Sequence, residues 1–225
     1  MFHLSRKCSY AFVLSIALLT FVTSAPSFGA ENRDILWDIV SNCIDISIAD
    51  YCTRCGAPRA EIDCRNCWNT TQVWAESKEF VVIRDRKMCG CPEGFVHGLV
   101  IPRKRVTGVE DPNRPDGIWE FAWAAAAGRL PEKEIALAVN PKGTRSQDQL
   151  HVHIVRLRSR DIPDDPRRSV WVDSLRTVWQ AAAGKAVQLD LRDYGVLVTR
   201  RAPGGYLVVI DEGSPEYKFT QAECR

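Results

Sequence analysis

The segment Gln149-Leu150-His151-Val152-His153-Ile154-Val155 alternates polar residues with apolar or β-branched ones. A period of two is the signature of a strand, in which successive side chains leave opposite faces. It predicts that Gln149, His151 and His153 share one face, and that Leu150, Val152 and Ile154 share the other. The polar face carries two of the four histidines in the chain. Imidazole titrates closest to neutrality and serves as nucleophile or proton carrier, so function is expected here. Alternating histidines also fit a solvated strand face, and the surrounding residues weigh against that reading.

Just upstream, residues 134–139 read as a second strand that ends at Asn140, followed by the turn-rich segment Pro141-Lys142-Gly143-Thr144-Arg145-Ser146-Gln147-Asp148. Two strands joined by this polar loop make a hairpin that brings Asn140, Ser146 and the histidines together. Lys142 and Arg145 lie beside exposed backbone amides in the loop. That setting suits a phosphate better than a neutral ligand.

A strand ending in Asn, a Gly-containing loop, a Ser and a strand of alternating His together resemble the histidine triad superfamily of nucleotide hydrolases and transferases. The triad pattern is His, apolar, His, apolar, His, apolar, apolar. Gln149 stands at its first position, His151 at its second and His153 at its third. A narrower resemblance covers most of the chain after the N-terminal segment. Residues 135–156, 99–110 and 118–126 and the terminal Ala222-Glu223-Cys224 are similar to the CDP-diacylglycerol pyrophosphatase family. The order of parts is similar too, beginning with an N-terminal hydrophobic segment and a short helix around residues 35–43. The stretch from Cys52 to Cys67 departs most from the family pattern.

The resemblance implies an α+β fold, a histidine-triad-like antiparallel sheet with flanking helices. It implies one domain over residues 31–225, with a Cys-rich insertion at about 43–91. It implies hydrolysis of the pyrophosphate of CDP-diacylglycerol to CMP and phosphatidate, with the lipid nucleotide and a membrane surface as partners. In that reading His151 is the nucleophile and forms a nucleotidyl-histidine intermediate. His153 contacts phosphate or shares protons, and Ser146 donates to the leaving oxygen. Asn140 orients a phosphate or ribose oxygen. Lys142, Arg145 and Arg105 bind phosphate. Gln149 can bind phosphate through its amide but cannot shuttle protons, because it does not titrate. The covalent route calls for no metal or cofactor. Another nucleotide hydrolase or nucleotidyltransferase of the superfamily, or a binding module that has lost catalysis, is the alternative.

Other residues read more plainly. Arg103 and Lys104 read as a solvated basic turn, and a lone His97 at a strand start reads as structural. The formal net charge of +2 and the absence of a long basic run argue against nucleic-acid binding. At the N-terminus, Arg6 and Lys7 precede an apolar run over residues 11–22. That is the profile of a secretory signal, with cleavage expected near Ala25 or before Ala30, or of an uncleaved anchor over residues 1–30. The domain is expected to be exported, held at a bacterial inner membrane or free in the periplasm.

Eight cysteines follow the targeting segment: Cys43, Cys52, Cys55, Cys64, Cys67, Cys89, Cys91 and Cys224. An even number in an exported chain reads first as a disulfide framework. The paired spacing of Cys52, Cys55, Cys64 and Cys67 also fits a structural zinc tetrathiolate. The family resemblance suggests that Cys43 and Cys224 join the two ends of the domain.

Helices are expected over residues 35–48, 118–129 and 170–183, and strands over 80–84, 95–101, 194–199 and 206–210. Trp119, Trp123, Trp171 and Trp179 are expected to pack in the core from helices.

Overall fold

A computed structural model of the chain describes residues 32–48, 51, 67, 71–159, 162, 165–200 and 204–224. The targeting segment expected over residues 1–30 lies outside them. Among the described residues eight strands form one sheet: β1 (Val73–Glu76), β2 (Phe80–Arg84), β3 (His97–Pro102), β4 (Ile135–Val139), β5 (Val152–Arg156), β6 (Ser169–Val172), β7 (Gly195–Arg200) and β8 (Tyr206–Asp211). Their order across the sheet is β1-β2-β3-β5-β4-β7-β8-β6, with every neighbouring pair antiparallel. The helices are α1 (Ile35–Asp38), which runs into a π-helical turn at Ile39–Cys43, then α2 (Ile118–Ala127), α3 (Val178–Gln188) and α4 (Pro215–Phe219). The fold is α+β.

Both faces of the sheet are covered, so its central strands read as near-continuous apolar runs such as Ile135-Ala136-Leu137-Ala138-Val139, all buried. On one face Leu137, Val152, Ile154, Val196 and Val208 pack under α2 and α3. Trp119 of α2 is fully buried, and its ring centroid lies 4.7 Å from that of Trp179 on α3. A tilted aromatic pair of this kind adds roughly 0.5–1.5 kcal/mol beyond its buried area. The opposite face carries two separate apolar clusters. One joins Leu36 and Val40 to Val81, Ile83, Leu99 and Ile101. The other joins Ala136, Ala138, Val155, Leu197, Leu207 and Val209. Between them a polar strip is left on the sheet.

The expected hairpin is present, with Ala138 paired to His153, and so is the terminal β7–β8 hairpin. Other expectations need correction. Residues 170–183 do not form one helix. The β-branched run around Val170 and Val172 joins the sheet edge, and the helix begins only after Ser174, whose hydroxyl accepts from the Arg176 amide. Trp171 therefore lies on an edge strand, where it is 43 % exposed and not a core residue. The first helix ends at Cys43, short of Ile48.

Two disulfides are described, Cys67–Cys89 and Cys91–Cys224. Cys224 therefore bonds Cys91 and not Cys43, which is a free thiol. A tetrathiolate using Cys67 is ruled out too, since its sulfur is already bonded to Cys89. Cys52, Cys55 and Cys64 lie outside the described residues.

Candidate active site

Antiparallel pairing builds the polar strip. Leu99 of β3 faces His153 of β5, so His97, two residues earlier, is the diagonal neighbour of His153 on the same face. His151 and His153 do share that face, with ring centroids 4.8 Å apart. His97 Nε2 lies 3.0 Å from His153 Nδ1. Three imidazoles thus stand together, and all three are buried.

The hydrogen bonds fix two tautomers. A carbonyl can only accept, so His151 Nδ1 donates to the Gln149 carbonyl at 2.7 Å and Nε2 is left with its lone pair. By the same reasoning His97 Nδ1 donates to the Ala222 carbonyl at 3.2 Å. Burial lowers the pKa of His151 against the opposing pull of the Gln149 carbonyl. Burial also lowers His97, and it puts His153 well below the ordinary value, with His151, His97 and Lys87 adding to the effect. The neutral imidazole, the form competent as a nucleophile, is therefore favoured at His151.

The C-terminal segment closes the cluster. Ser214 caps α4, accepting from the Tyr217 amide at 3.2 Å and donating to Asn140 Oδ1 at 2.8 Å. Glu216, on the first turn of α4, is buried. It accepts from Asn140 Nδ2 at 2.7 Å and from Lys87 Nζ at 2.6 Å, and its Oε2 is 3.3 Å from His153 Nε2. Burial opposes the charge on Lys87, but its pairing with Glu216 outweighs that and raises its pKa. Close packing puts α4 here. A Cβ on Gly195 would stand 2.5 Å from Pro215 Cδ and 2.7 Å from the Val139 carbonyl oxygen, so only glycine admits α4 at this distance from β7. Arg158 ties the segment down by donating to the carbonyls of Tyr217 and Thr220 at 2.6 and 3.0 Å. The Cys91–Cys224 disulfide holds its end.

His151 and His153 open onto a pocket of about 400 Å³. Its polar side includes Lys87, Asn140, Thr144, Ser146 and Tyr217, and its other side is aliphatic, with Ile35, Leu36 and Ile39 facing Ile83 and Leu99. The α1 wall is clipped in place. Arg33 donates to both carboxylate oxygens of Asp148 at 2.8 and 2.9 Å, and Gln147 Oε1 accepts from the Leu36 amide at 3.2 Å. The Arg33 hydrogen bonds pull the Asp148 pKa down to about 2, against a smaller opposing effect of burial. A nucleophilic nitrogen beside a cation, hydroxyls and an apolar wall can hold an organic phosphate and attack it.

A family model described as CDP-diacylglycerol pyrophosphatase matches residues 31–163. The chain belongs to that family. It is 46 % identical over 68 residues to a probable CDP-diacylglycerol pyrophosphatase of Mycobacterium leprae, a match covering 25 % of each chain. It is 42 % identical over 67 residues to the CDP-diacylglycerol pyrophosphatases of Mycobacterium bovis and Mycobacterium tuberculosis, covering 25 % of this chain and 26 % of theirs. The match thus spans about a quarter of the length of these curated relatives.

The residues expected at the site divide into two groups. His151, His153, Asn140, Arg145 and Ser146 all line the pocket. Arg145 does so with its charge already matched, since its guanidinium donates twice to Glu110 at 2.8 and 2.5 Å. Gln149 is fully buried, and its amide is committed to backbone: it donates to the Pro102 and Lys104 carbonyls at 2.9 Å each and accepts from Val106 N–H. It is a structural strut and does not reach a phosphate. Arg105 pairs with Asp34 and lies over the Trp37 ring, away from the pocket. Lys142 is exposed, and its amide and that of Gly143 donate to Asp193 at 2.8 and 2.9 Å, so the loop amides are already taken.

A lone His97 at a strand start reads as structural, and no sequence pattern singles out Lys87, Glu216 or Tyr217. No periodicity connects residues 87, 97 and 216 to residue 153. The charged run Arg84-Asp85-Arg86-Lys87 beside Cys89 and Cys91 was the one local signal.

Proposed function

We propose that this protein hydrolyses the pyrophosphate bond of CDP-diacylglycerol, giving CMP and phosphatidate, through a covalent intermediate on His151. The observation that carries the reading is the hydrogen bond from His151 Nδ1 to the Gln149 carbonyl, which leaves Nε2 as the free nucleophile at the pocket. Nε2 attacks the cytidylyl phosphorus, and the bond to the bridging oxygen breaks. Phosphatidate leaves with the electron pair. The proton stays on Nδ1, donated to the Gln149 carbonyl, which stabilises the charge the ring acquires. Ser146 and Lys87 stabilise the negative charge on the leaving oxygen. Water then attacks the phosphorus and the N–P bond breaks, so that CMP departs and His151 is restored. His153 takes the proton from that water, shares it with His97, and returns it to solvent through the pocket. Family membership supports the substrate class.

The same reading makes this an enzyme of phospholipid metabolism that works at a membrane surface. The N-terminal apolar segment serves as the export signal or as the anchor to a bacterial inner membrane, with the domain in the periplasm. Among the described residues no helix is long and apolar enough to cross a membrane.

The test is CMP release from CDP-diacylglycerol in detergent by the full chain and by His151→Ala. CMP release that falls by roughly 10⁴-fold or more in a variant with unchanged melting supports the covalent route. Turnover of soluble nucleotides without turnover of the lipid would replace the substrate assignment. Equal activity in both proteins would remove His151 from the chemistry.

A further inference from the structure

Asp85, His97 and His153 each direct one ligand-type atom to a common point, with all three atoms within 4.8 Å of one another. The remaining polar atoms of the first two are committed elsewhere. Asp85 Oδ1 caps the turn Arg86–Met88 by accepting from the Lys87 amide at 2.9 Å, and Oδ2 stands 3.6 Å from His97 Nε2. His97 Nδ1 is bound to the Ala222 carbonyl, so Nε2 carries a lone pair directed at His153 Nδ1. Fixing one ring nitrogen on a carbonyl is how proteins orient a histidine that ligates metal through the other.

With its proton on Nδ1, neutral His153 donates to His97 Nε2 at 3.0 Å and accepts at Nε2 from Asn140 Nδ2 at 3.4 Å. The Glu216 carboxylate also stands 3.3 Å from that Nε2, so the proton has an acceptor on either side of the ring. With the proton on Nε2 it donates to Glu216, but two lone pairs then meet at 3.0 Å between the rings. In that second arrangement the two facing lone pairs and the Asp85 carboxylate leave room for a cation between them, with Glu216 accepting from the far nitrogen of His153. Ligands on a tetrahedral zinc ion, at about 2.0–2.1 Å from the metal, lie about 3.3 Å from one another. The His97–His153 and His97–Asp85 spacings of 3.0 and 3.6 Å bracket that value, and the Asp85–His153 pair lies within 4.8 Å. Two imidazoles and a carboxylate suit zinc or cobalt better than magnesium or calcium. The charged groups facing the point are Asp85, Glu216 and Lys87, so carboxylates outnumber ammonium.

We propose that Asp85, His97 and His153 form a binding site for a divalent transition-metal ion of the zinc class, and that its occupation suppresses turnover. The ion takes the lone pairs through which His97 and His153 exchange a proton, while His151 Nε2 stays outside the ligand set. The suppression half rests on the proposed hydrolase activity, and the binding half does not.

The experiment titrates the full, disulfide-intact chain with cobalt(II), read by visible absorption, and with zinc, read by calorimetry. CMP release is measured alongside. Saturable one-to-one binding without a thiolate charge-transfer band is expected. Asp85→Asn keeps the capping oxygen and removes the charge, so metal-free activity should persist while affinity and zinc sensitivity both fall by about 10–100-fold. His97→Gln should abolish the cobalt spectrum and serves as the second variant should the first not fold. No saturable binding, unchanged affinity in the variants, or a thiolate band would overturn the site. Zinc that binds without slowing CMP release would overturn the suppression. A chain silent towards CDP-diacylglycerol that still shows the cobalt spectrum would sink the hydrolase reading and leave the metal site standing.

Discussion

His97 Nε2 and His153 Nδ1 meet at 3.0 Å although 56 residues separate them in the chain. The contact follows from register: Leu99 pairs with His153, so residue 97 reaches it diagonally on the same face. The triad pattern has Gln149 where its first histidine would stand, and that residue is turned into backbone contacts. The third imidazole of the cluster comes from the neighbouring strand instead. In the proposed reaction His97 acts through His153, as a positioning residue.

Replacing His97 with Gln should lower kcat for CMP release by about 10²-fold with little change in KM, because proton transfer through His153 suffers and the substrate contacts do not. The acid limb of the pH–rate profile should move as well, which a purely structural role would not do. Steady-state kinetics across pH, with melting measured in parallel, checks this.

Gln149→Leu should be a stability lesion. It orphans the Pro102 and Lys104 carbonyls and the Val106 amide, at a cost of about 3 kcal/mol. Melting should fall by roughly 6–12 °C. The His151 partner, a main-chain carbonyl, is untouched, so kcat measured well below the melting transition should change little.

The lowered pKa values of His97, His151 and His153 give a signed pH dependence. Below the ordinary histidine pKa of 6.5 the unfolded chain binds protons that the folded chain refuses, so stability falls as pH drops below about 6.5. The Asp148 carboxyl, at about 2 in the fold, adds a second loss that begins below about pH 4. Denaturant unfolding from pH 8 to 4 should show a plateau above 6.5 and a decline beneath it. Activity should persist to a lower pH than that, since the His151 lone pair is lost only at the lowered pKa of the folded protein. A stability maximum near pH 5 would contradict the assignment.

Breaking the Cys91–Cys224 bond, by reduction or with paired Ser substitutions, should cost about 4–5 kcal/mol by the loop-entropy estimate for residues 133 apart in sequence. It should also lower activity in protein that remains folded. Cys224 is two residues from Ala222, whose carbonyl fixes the His97 tautomer. Thermal melts and CMP release, with and without reductant, measure both effects.

The alternation over residues 149–155 determined by itself that a strand would place His151 and His153 on one face, because side-chain direction in a strand is a local property of the backbone. The apolar runs and turn residues determined the 134–156 hairpin and the terminal hairpin in the same way. The family was legible from stretches spread along the chain, residues 99–110, 118–126 and 135–156 and the terminal Ala222-Glu223-Cys224. Tertiary structure alone decided the rest. Whether Arg105 meets a phosphate or Asp34, and whether Lys142 stands over the pocket, depends on contacts between distant segments. Strand order brought His97 to His153, and the close fit of Pro215 on Gly195 brought Glu216 to them, where it meets Lys87 from the turn after β2. Cys224 joined Cys91 rather than Cys43 because the chain's end runs beside β5 and the loop before β3, a geometry that cysteine spacing does not encode. Pairings of this kind depend on distance in space, which a single sequence carries only where neighbours in space are also neighbours in the chain.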